Sequence, residues 1–421
     1  MEFKNDLGKP WKYEEGGLTV VRTSMWSPPG CHPVGCGLKI YVNKEGVIDH
    51  VEGDENNPIT KGRLCARCIA LKDYVYNPSR VIYPMKRARE FRGQHDKWER
   101  ITWDEAFAIV KEKRDYFRDT YGPECMAVFS GTGRSGGILV SDMAQAVLGT
   151  PNACYTQSGY ACYQPRSMSC SHVLGAYYPE MDYAGGLEGT YDNPAYQVPG
   201  VMVMWGKMPL ASNGDGLFGH AVIDLMKRGM KIVTVDPKVT WLATKSELHL
   251  RVRPGTDAAL ALGMMKVIID EDLYDHEFVD NWCYGFEELK ERADEFDTKR
   301  VSEITWVPED KIVAAARMLG NAKNSTLQWG VAVDMTREAM PAGQAILALW
   351  EITGNMERPG GMIVAPEILS VAGGWGREIL GPEQEAKRIG IKDYPLYNFG
   401  FAVSQPDETV KTIETGVPYE I

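Results

Sequence analysis

The chain has 421 residues, more than one hydrophobic core normally serves, so two or three domains are expected. Hydrophobic residues make up 44% of it and charged residues 24%, as in ordinary globular proteins. Its formal net charge of −11 argues against nucleic acid or an anionic membrane surface as the main partner.

Two short β-strands are the first predicted elements. Residues 38–42 and 47–51 are rich in β-formers, and turn residues separate them at 43–46 and follow them at 53–58. This pattern predicts a small β domain near the N-terminus. No apolar run is long enough to span a membrane and residues 1–17 lack a secretory signal, so we predict a cytoplasmic protein without a membrane span.

Four of the nine cysteines fall in one cluster, with the spacing Cys31-x4-Cys36-x28-Cys65-x2-Cys68. An odd number of cysteines without a secretory signal does not indicate a disulfide framework. The four lie among Gly, Pro and Arg, which argues against their packing as small hydrophobic residues. Four thiolates from two loops fit an iron–sulfur cluster or a zinc ion, and the spacing leaves both open.

The first predicted helix begins near Thr102. Thr102 and Glu105 form a T-x-x-E capping box, and Phe107, Val110 and Phe117 recur at helical spacing. We therefore expect these three apolar side chains to form the buried face of the helix.

A β-α-β pattern follows from about residue 198. Val201–Trp205 and Lys231–Val235 are predicted strands that are largely apolar, and residues 221–228 form a helix that stops at Gly229. Such strands, separated by a helix, indicate a parallel sheet covered on both faces.

Two further helices follow the sheet strands. Gly255, Thr256 and Asp257 open the first, which runs to Ile269, with Thr256 or Asp257 placed to cap it. The second helix runs from about residue 308 to 320, with a proline in its first turn and a glycine at its end.

The strand ends carry residues suited to a nucleotide. Gly206 follows the first strand and would let the backbone approach a pyrophosphate, and Asp236 follows the second strand where a ribose or a guanine edge would lie. The helix start at 255–257 adds unpaired N–H donors that favour an anion. Each feature is equally compatible with plain α/β architecture.

The cysteine region resembles the N-terminal domain of molybdopterin oxidoreductases of the dimethyl-sulfoxide-reductase superfamily. The similar segments are GCHPVGCGL at 30–38, GRLC at 62–65 and NPSR at 77–80. In that family this domain holds a [4Fe-4S] cluster, so the resemblance favours iron and sulfide over zinc.

The resemblance implies that Cys31, Cys36 and Cys65 bind the cluster. This sequence departs from the usual pattern because His32 occupies the second cysteine position. Cys68 is therefore expected as the fourth ligand ahead of His32.

The resemblance extends over about residues 24–363, including RPGTDAAL at 253–260 and PGG at 359–361. It implies two molybdopterin guanine dinucleotides with molybdenum or tungsten. Arg67 stands where many relatives place a lysine between the cluster and the pterin. The predicted cofactor-binding residues are Arg67, Trp205, Gly206, Lys207, Asp236, Pro237, Gly255, Thr256 and Asp257.

The resemblance also places the protein ligand of the molybdenum or tungsten at Cys162, within YACYQPR at 160–166. Cys154 and Cys170 are rival positions without the matching context. Arg166 and His172 are candidate catalytic residues, although single Arg and His residues are more often structural.

The neighbourhood of Cys162 is most similar to the branch that contains acetylene hydratase and the catechol dehydroxylases. It implies an oxidoreductase that reductively removes a hydroxyl oxygen from a small organic substrate, with electrons from a ferredoxin-like iron–sulfur subunit. A non-redox hydratase or transhydroxylase, a non-catalytic iron–sulfur electron-transfer subunit and a zinc-stapled structural protein remain alternatives.

The predicted fold is mixed α/β with a parallel sheet. An iron–sulfur β domain is expected over 18–88, a discontinuous α/β domain over 89–175 with 330–421, and a Rossmann-like pterin-nucleotide domain over 176–329. Family members are considerably longer, so the resemblance implies that their last domain is absent here. We therefore expect the chain to need a missing C-terminal domain or a second chain for activity.

Overall fold

A computed structural model describes most of the chain as two compact units. The first unit comprises residues 1–68, 157–370 and 399–421, and the second comprises 69–156 and 371–398. The three predicted domain ranges stay a prediction. The described residues are 11–26, 35–57, 60–130, 142–155, 164–175, 179–182, 194–212, 218–364 and 379–390.

Strands and helices alternate along most of the described chain. The strands are β1 (Lys12–Glu15), β2 (Leu18–Trp26), β3 (Gly35–Val42), β4 (Ile48–Gly53), β5 (Met85–Lys86), β6 (Glu99–Arg100), β7 (Val128–Ser130), β8 (Ala153–Tyr155), β9 (Pro179–Met181), β10 (Val201–Trp205), β11 (Lys231–Val235), β12 (Leu248–Leu250), β13 (Ser325–Trp329) and β14 (Met362–Val364). The helices are α1 (Ala66–Ile69), α2 (Leu71–Val75), α3 (Trp103–Tyr121), α4 (Gln164–Leu174), α5 (Pro209–Ser212), α6 (Phe218–Lys227), α7 (Asp257–Asp270), α8 (His276–Trp282), α9 (Phe286–Asp294), α10 (Thr298–Thr305), α11 (Glu309–Gly320), α12 (Val331–Asp334), α13 (Ala339–Ile352) and α14 (Pro382–Glu385).

The first unit begins with the antiparallel sheet β1-β2-β3-β4, in which each strand pairs with the next one along the chain. Both predicted strands of this region are confirmed as β3 and β4. Alternate side chains of β3, Cys36 and Leu38, are fully buried, which is the period-two pattern of a sheet with one covered face.

The core of the first unit is the parallel sheet β12-β11-β10-β13. Val201–Trp205 pairs in parallel with Lys231–Val235 on one side and Ser325–Trp329 on the other. Every residue of β10 is buried, which is why its sequence is continuously apolar. The predicted strands and their parallel arrangement are confirmed.

Helix α7 packs against helices α9, α10, α11 and α13, with most of its side chains buried. Thr256 stands directly before it, but its hydroxyl donates to the carbonyl of Arg253 at 2.7 Å and makes no cap hydrogen bond to the helix. The predicted Thr256 cap is therefore wrong, because this hydroxyl stabilises the preceding turn. Asp257, the other predicted cap, is the first residue of the helix and not the residue that precedes it. The predicted helix over 308–320 is confirmed as α11.

The second unit contains α3, the antiparallel hairpin β5-β6 and the parallel pair β7-β8. The predicted capping box is confirmed, since the Glu105 amide donates to Thr102 Oγ1 at 3.1 Å and the Thr102 amide donates to Glu105 Oε2 at 2.8 Å. The predicted burial of the apolar face is wrong. Phe107, Val110 and Phe117 are 63%, 45% and 41% exposed, because apolar periodicity defines a face without supplying an element to cover it.

Within the described parts of both units, no helix has the length and apolarity needed to cross a membrane.

Candidate functional site: a thiol cluster and the carboxyl edge of a parallel sheet

Three of the clustered cysteines lie in the described chain, and the structure brings them together. Cys36 is on β3, while Cys65 and Cys68 are joined at α1, where the Cys68 amide donates to the Cys65 carbonyl at 3.1 Å. The Cys68 thiol is within hydrogen-bonding reach of both other thiols. Cys31 and His32 lie outside the described residues.

The environment of Cys68 opposes an isolated thiolate. The hydrogen bond to Cys36 and then burial raise the pKa of the Cys68 thiol far above its usual value. Three adjacent thiolates repel one another unless a cationic metal group compensates their charge, so this donor set suits a group that deprotonates its ligands. In the described residues, no three His, Cys, Asp or Glu side chains are arranged to hold a single metal ion.

Hydrogen bonds tie strand β3, which carries Cys36, to the segment 54–62 that precedes Cys65. The Asp54 amide donates to the Gly37 carbonyl at 2.9 Å, and the Gly62 amide donates to the Asp54 carbonyl at 2.9 Å. The Asp54 carboxylate forms a buried ion pair with Arg22 at 2.8 Å. A Cβ atom at Gly53 would lie 2.0 Å from the Gly62 carbonyl oxygen, so only glycine at the end of β4 allows its backbone to pack this closely against the backbone at Gly62.

A second candidate region is the carboxyl edge of the parallel sheet. Gly206 has φ +58° and donates its amide to the Val235 carbonyl at 2.8 Å, while the Gly330 amide donates to the Trp205 carbonyl at 2.9 Å. A Cβ atom at Gly330 would lie 2.2 Å from the Gly206 carbonyl oxygen. At Gly206 and Gly330, the ends of β10, β11 and β13 therefore contact one another directly through backbone atoms.

Asp236 lies at this edge, and one of its two carboxylate oxygens accepts a hydrogen bond. Its Oδ1 accepts from the Lys238 amide at 2.8 Å, and its backbone carbonyl contacts His249 Nε2 at 2.8 Å. The described residues provide no hydrogen bond to Oδ2, although Asp236 is only 9% exposed. Pro237 is exposed and Lys207 is half-buried beside the same strand ends.

Trp205 and Asp257 bond to each other. The fully buried indole donates from Nε1 to Asp257 Oδ1 at 2.7 Å, and the backbone amides of Gly255 and Asp257 also stabilise this carboxylate. Burial raises the pKa of Asp257. The pair ties the start of α7 to the end of β10. Gly255 has φ +84° with open space on its Cβ side, so the turn before the helix is sterically accessible.

Arg166 is held in a buried ion pair with Asp334. Its Nε lies 2.5 Å from Asp334 Oδ2, its backbone amide donates to Asp334 Oδ1 at 3.0 Å, and its Nη1 donates to the Trp329 carbonyl at 3.0 Å. Burial raises the pKa of Asp334 to about 6 despite the opposing effect of Arg166. The ion pair links α4 to α12, and the Nη1 bond links α4 to the end of β13.

The other predicted catalytic residues differ in placement. Cys162 lies outside the described residues, two positions before α4 begins, and His172 is exposed on α4. Cys170 is fully buried, and burial raises its pKa far above the usual thiol value, so this rival is an inert thiol in the structure. The side chain of Cys154 lies outside the described set.

Sequence reasoning missed two residues of these regions, Gly330 and Asp334. Both follow β13, whose sequence STLQW lacks the continuous apolar pattern of its neighbours. If residues 325–329 had been predicted as a strand, Gly330 would have been recognised as a glycine that directly follows a strand of the parallel sheet.

The chain belongs to the molybdopterin oxidoreductase family, and its thiol cluster and parallel sheet agree with that membership. Residues 80–378 match the molybdopterin oxidoreductase family and residues 29–77 match the molybdopterin oxidoreductase Fe4S4 domain. The predicted family and fold class are confirmed.

Several named enzymes are similar in sequence to this chain. Acetylene hydratase of Syntrophotalea acetylenica is 31% identical over 90% of this chain and 50% of its own length. Dimethyl sulfoxide reductase DmsA of Escherichia coli is 30% identical over 77% and 42%, and dopamine dehydroxylase of Eggerthella lenta is 30% identical over 60% and 23%. The structure of acetylene hydratase from Pelobacter acetylenicus matches with a TM-score of 0.71 at 29% identity, over 89% of this chain and 49% of that one. The chain thus spans about half the length of acetylene hydratase.

Proposed function

We propose that this chain carries the cluster-binding and pterin-nucleotide-binding parts of a molybdenum or tungsten oxidoreductase that removes a hydroxyl oxygen from a small organic substrate. The observation that carries the proposal is the convergence of the Cys36, Cys65 and Cys68 thiols, because a reductase needs an entry point for electrons. The similarity to dopamine dehydroxylase supports the substrate class.

Cys31, Cys36 and Cys65 would hold a [4Fe-4S] cluster, with Cys68 ahead of His32 as the fourth ligand, because the Cys68 thiol lies within hydrogen-bonding reach of Cys36 and Cys65. Backbone hydrogen bonds hold the segments around Cys36 and Cys65, so these two ligands are preorganised before the cluster binds. Arg67 lies between Cys65 and Cys68 in the sequence, and its cation offsets only a small part of the rise in the Cys68 pKa that the Cys36 thiol and burial cause.

The carboxyl edge of the parallel sheet would bind the nucleotide part of the pterin cofactor. Asp236 offers its open Oδ2 to a guanine or ribose donor, and the bare backbone at Gly206 admits a phosphate closely. Gly255 leaves room at the start of α7, whose first N–H groups favour an anion. Trp205 and Asp257 would position this helix by their mutual hydrogen bond, and Lys207, Pro237 and Thr256 lie beside the same edge.

Cys162 would bind the metal as a thiolate, a soft donor suited to it beside the pterin sulfurs. When bound, molybdenum or tungsten with its two pterins supplies the electron-transfer chemistry of the reaction. Arg166, close in sequence to Cys162, would fix the start of α4 through Asp334, and His172 would carry a proton in the reaction. The reaction takes up two electrons and two protons, breaks the carbon–oxygen bond and releases water.

A non-redox hydratase is the second candidate, favoured by the similarity to acetylene hydratase over nine tenths of this chain. Hydration consumes no electrons, whereas removal of a hydroxyl group consumes two. The two candidates are therefore distinguished by electron consumption.

The test uses the complete native enzyme purified without oxygen. We expect about four irons per chain and oxidation of two equivalents of reduced viologen per catechol-type substrate consumed. Turnover of acetylene with no viologen oxidation would support the hydratase instead. Stoichiometric zinc in place of iron would rule out the electron-transfer role.

A further inference from the structure

A basic hairpin stands out in the second unit. We define it as residues 80–100, which contain β5, β6 and the turns between them. This segment has seven Lys or Arg residues against three Asp or Glu, a net charge of +4, whereas the remaining 400 residues carry −15. The hairpin is thus a local patch of sign opposite to the rest of the chain.

Aromatic rings are interleaved with these cations and stay partly exposed. The Arg100 guanidinium lies 3.2 Å from the centroid of the Tyr83 ring, and that of Arg87 lies 4.4 Å from the Trp98 centroid. Both rings are more than 40% exposed, so the stacked pairs form part of the surface. Stacking on a ring holds a guanidinium in place without neutralising its charge.

Two further arginines, Arg89 and Arg92, are exposed on the turns of the hairpin. The ion pairs of the described chain include neither of them. This contrasts with exposed arginines elsewhere, such as Arg317, which pairs with Glu271 at 2.7 Å. Their charges are therefore available to an external anion.

The side chains of the hairpin match the composition of protein interfaces. Arg, Trp, Tyr and Met are enriched at interface centres and at energetic hot spots. Val81, Ile82 and Met85 add apolar surface at 71%, 67% and 41% exposure. Apolar surface of this kind suits a folded protein better than a phosphate backbone, whose binding depends chiefly on charge.

We propose that the basic hairpin is the docking surface for an acidic electron-transfer protein that reduces this enzyme. The proposal rests on the reductive function proposed above and names the partner that supplies its electrons. The net charge of +4 on the hairpin attracts an acidic carrier, whereas the remaining 400 residues, with a net charge of −15, repel it.

The experiment compares Arg89→Glu/Arg92→Glu with Lys290→Glu/Lys299→Glu in the complete holoenzyme. Both double variants change the net charge by the same amount, and all four residues are exposed. The probe is a reduced acidic 2[4Fe-4S] ferredoxin, whose oxidation is followed by stopped flow at several salt concentrations. Substrate turnover with reduced viologen is measured in parallel.

We expect Arg89→Glu/Arg92→Glu to lower the second-order rate with ferredoxin at least about 10-fold at low salt and to weaken its salt dependence. The lysine variant should stay within about 2-fold, because it changes the net charge equally but removes no cation of the hairpin. Viologen-driven turnover should match wild type in both variants, since a small dye needs no docking surface.

Equal losses in both double variants, or a wild-type rate in the arginine variant, would overturn the docking surface. Binding of oxidised ferredoxin is measured separately by calorimetry, so docking can be detected even if the enzyme lacks reductive turnover. Absence of viologen-driven turnover in the wild-type enzyme would contradict the proposed function. The calorimetric binding of oxidised ferredoxin would then test the docking surface by itself. Duplex DNA that binds more tightly than ferredoxin and displaces it would assign the hairpin to nucleic acid and refute the proposal.

Discussion

Replacing Asp334 by asparagine should destabilise the protein strongly, because it removes the carboxylate that pairs with the buried Arg166 guanidinium. The two side chains are 7% and 0% exposed, and the side-chain and backbone nitrogens of Arg166 both bond to the carboxylate. Breaking a buried ion pair from one side typically costs about 3–5 kcal/mol. Asparagine can still accept from the Arg166 amide, and the Trp329 carbonyl remains in place, so we expect about 3 kcal/mol.

The assay is urea unfolding, with the free energy of unfolding compared at unchanged slope. The matched control is Glu271→Gln, which breaks the exposed pair with Arg317, whose side chains are 35% and 56% exposed. It should change stability by at most about 1 kcal/mol. The double variant Arg166→Met/Asp334→Leu should recover most of the loss, because an apolar pair removes both charges together. If Asp334→Asn costs no more than Glu271→Gln, the buried pair does not act as described.

Four further outcomes are expected. Gly330→Ala should lower the free energy of unfolding by about 1–3 kcal/mol and reduce pterin content, because the new Cβ would lie 2.2 Å from the Gly206 carbonyl oxygen. The control Gly381→Ala, where the Cβ meets open space, should leave the free energy of unfolding unchanged in the same assay. Burial raises the pKa of Glu351 to about 7, so its contribution to stability is present below about pH 4.5 and is lost as pH rises through 7; Glu351→Gln should remove that slope in unfolding measured from pH 5 to 8. Asp236→Ala should lower pterin occupancy with iron content intact, and equal pterin content would make the residue purely structural. Cys162→Ser should change the electron paramagnetic resonance signal of the metal and abolish turnover while the cluster signal persists; the same effect from Cys154→Ser, with Cys162→Ser active, would mean that the ligand loop is misaligned.

The sequence predicted best where local pattern and tertiary structure agree. Val201–Trp205 and Lys231–Val235 are apolar because both faces of the sheet are covered, so composition alone revealed them. β13 was missed because Ser325, Thr326 and Gln328 are polar yet buried. The Thr326 hydroxyl donates to the Gly361 carbonyl and Gln328 Nε2 contacts Met181 Sδ, and only the fold supplies these partners.

Long-range partners were the second source of error. The Arg166–Asp334 pair joins residues 168 positions apart, and no local spacing signals such a contact. The apolar face of α3 was recognised, but its exposure depends on neighbours that periodicity does not specify. The roles of Cys31, His32 and Cys162, the electron donor, the substrate and the cytoplasmic location stay predictions.

The hydrogen bonds that join Gly37, Asp54 and Gly62 involve no cysteine sulfur. The loops around the thiols are therefore held by the sheet itself, and loss of iron should leave the sheet folded with its thiols in place. A cluster damaged by oxygen could then be rebuilt on the folded chain, since iron and sulfide would bind to thiols that are already in place.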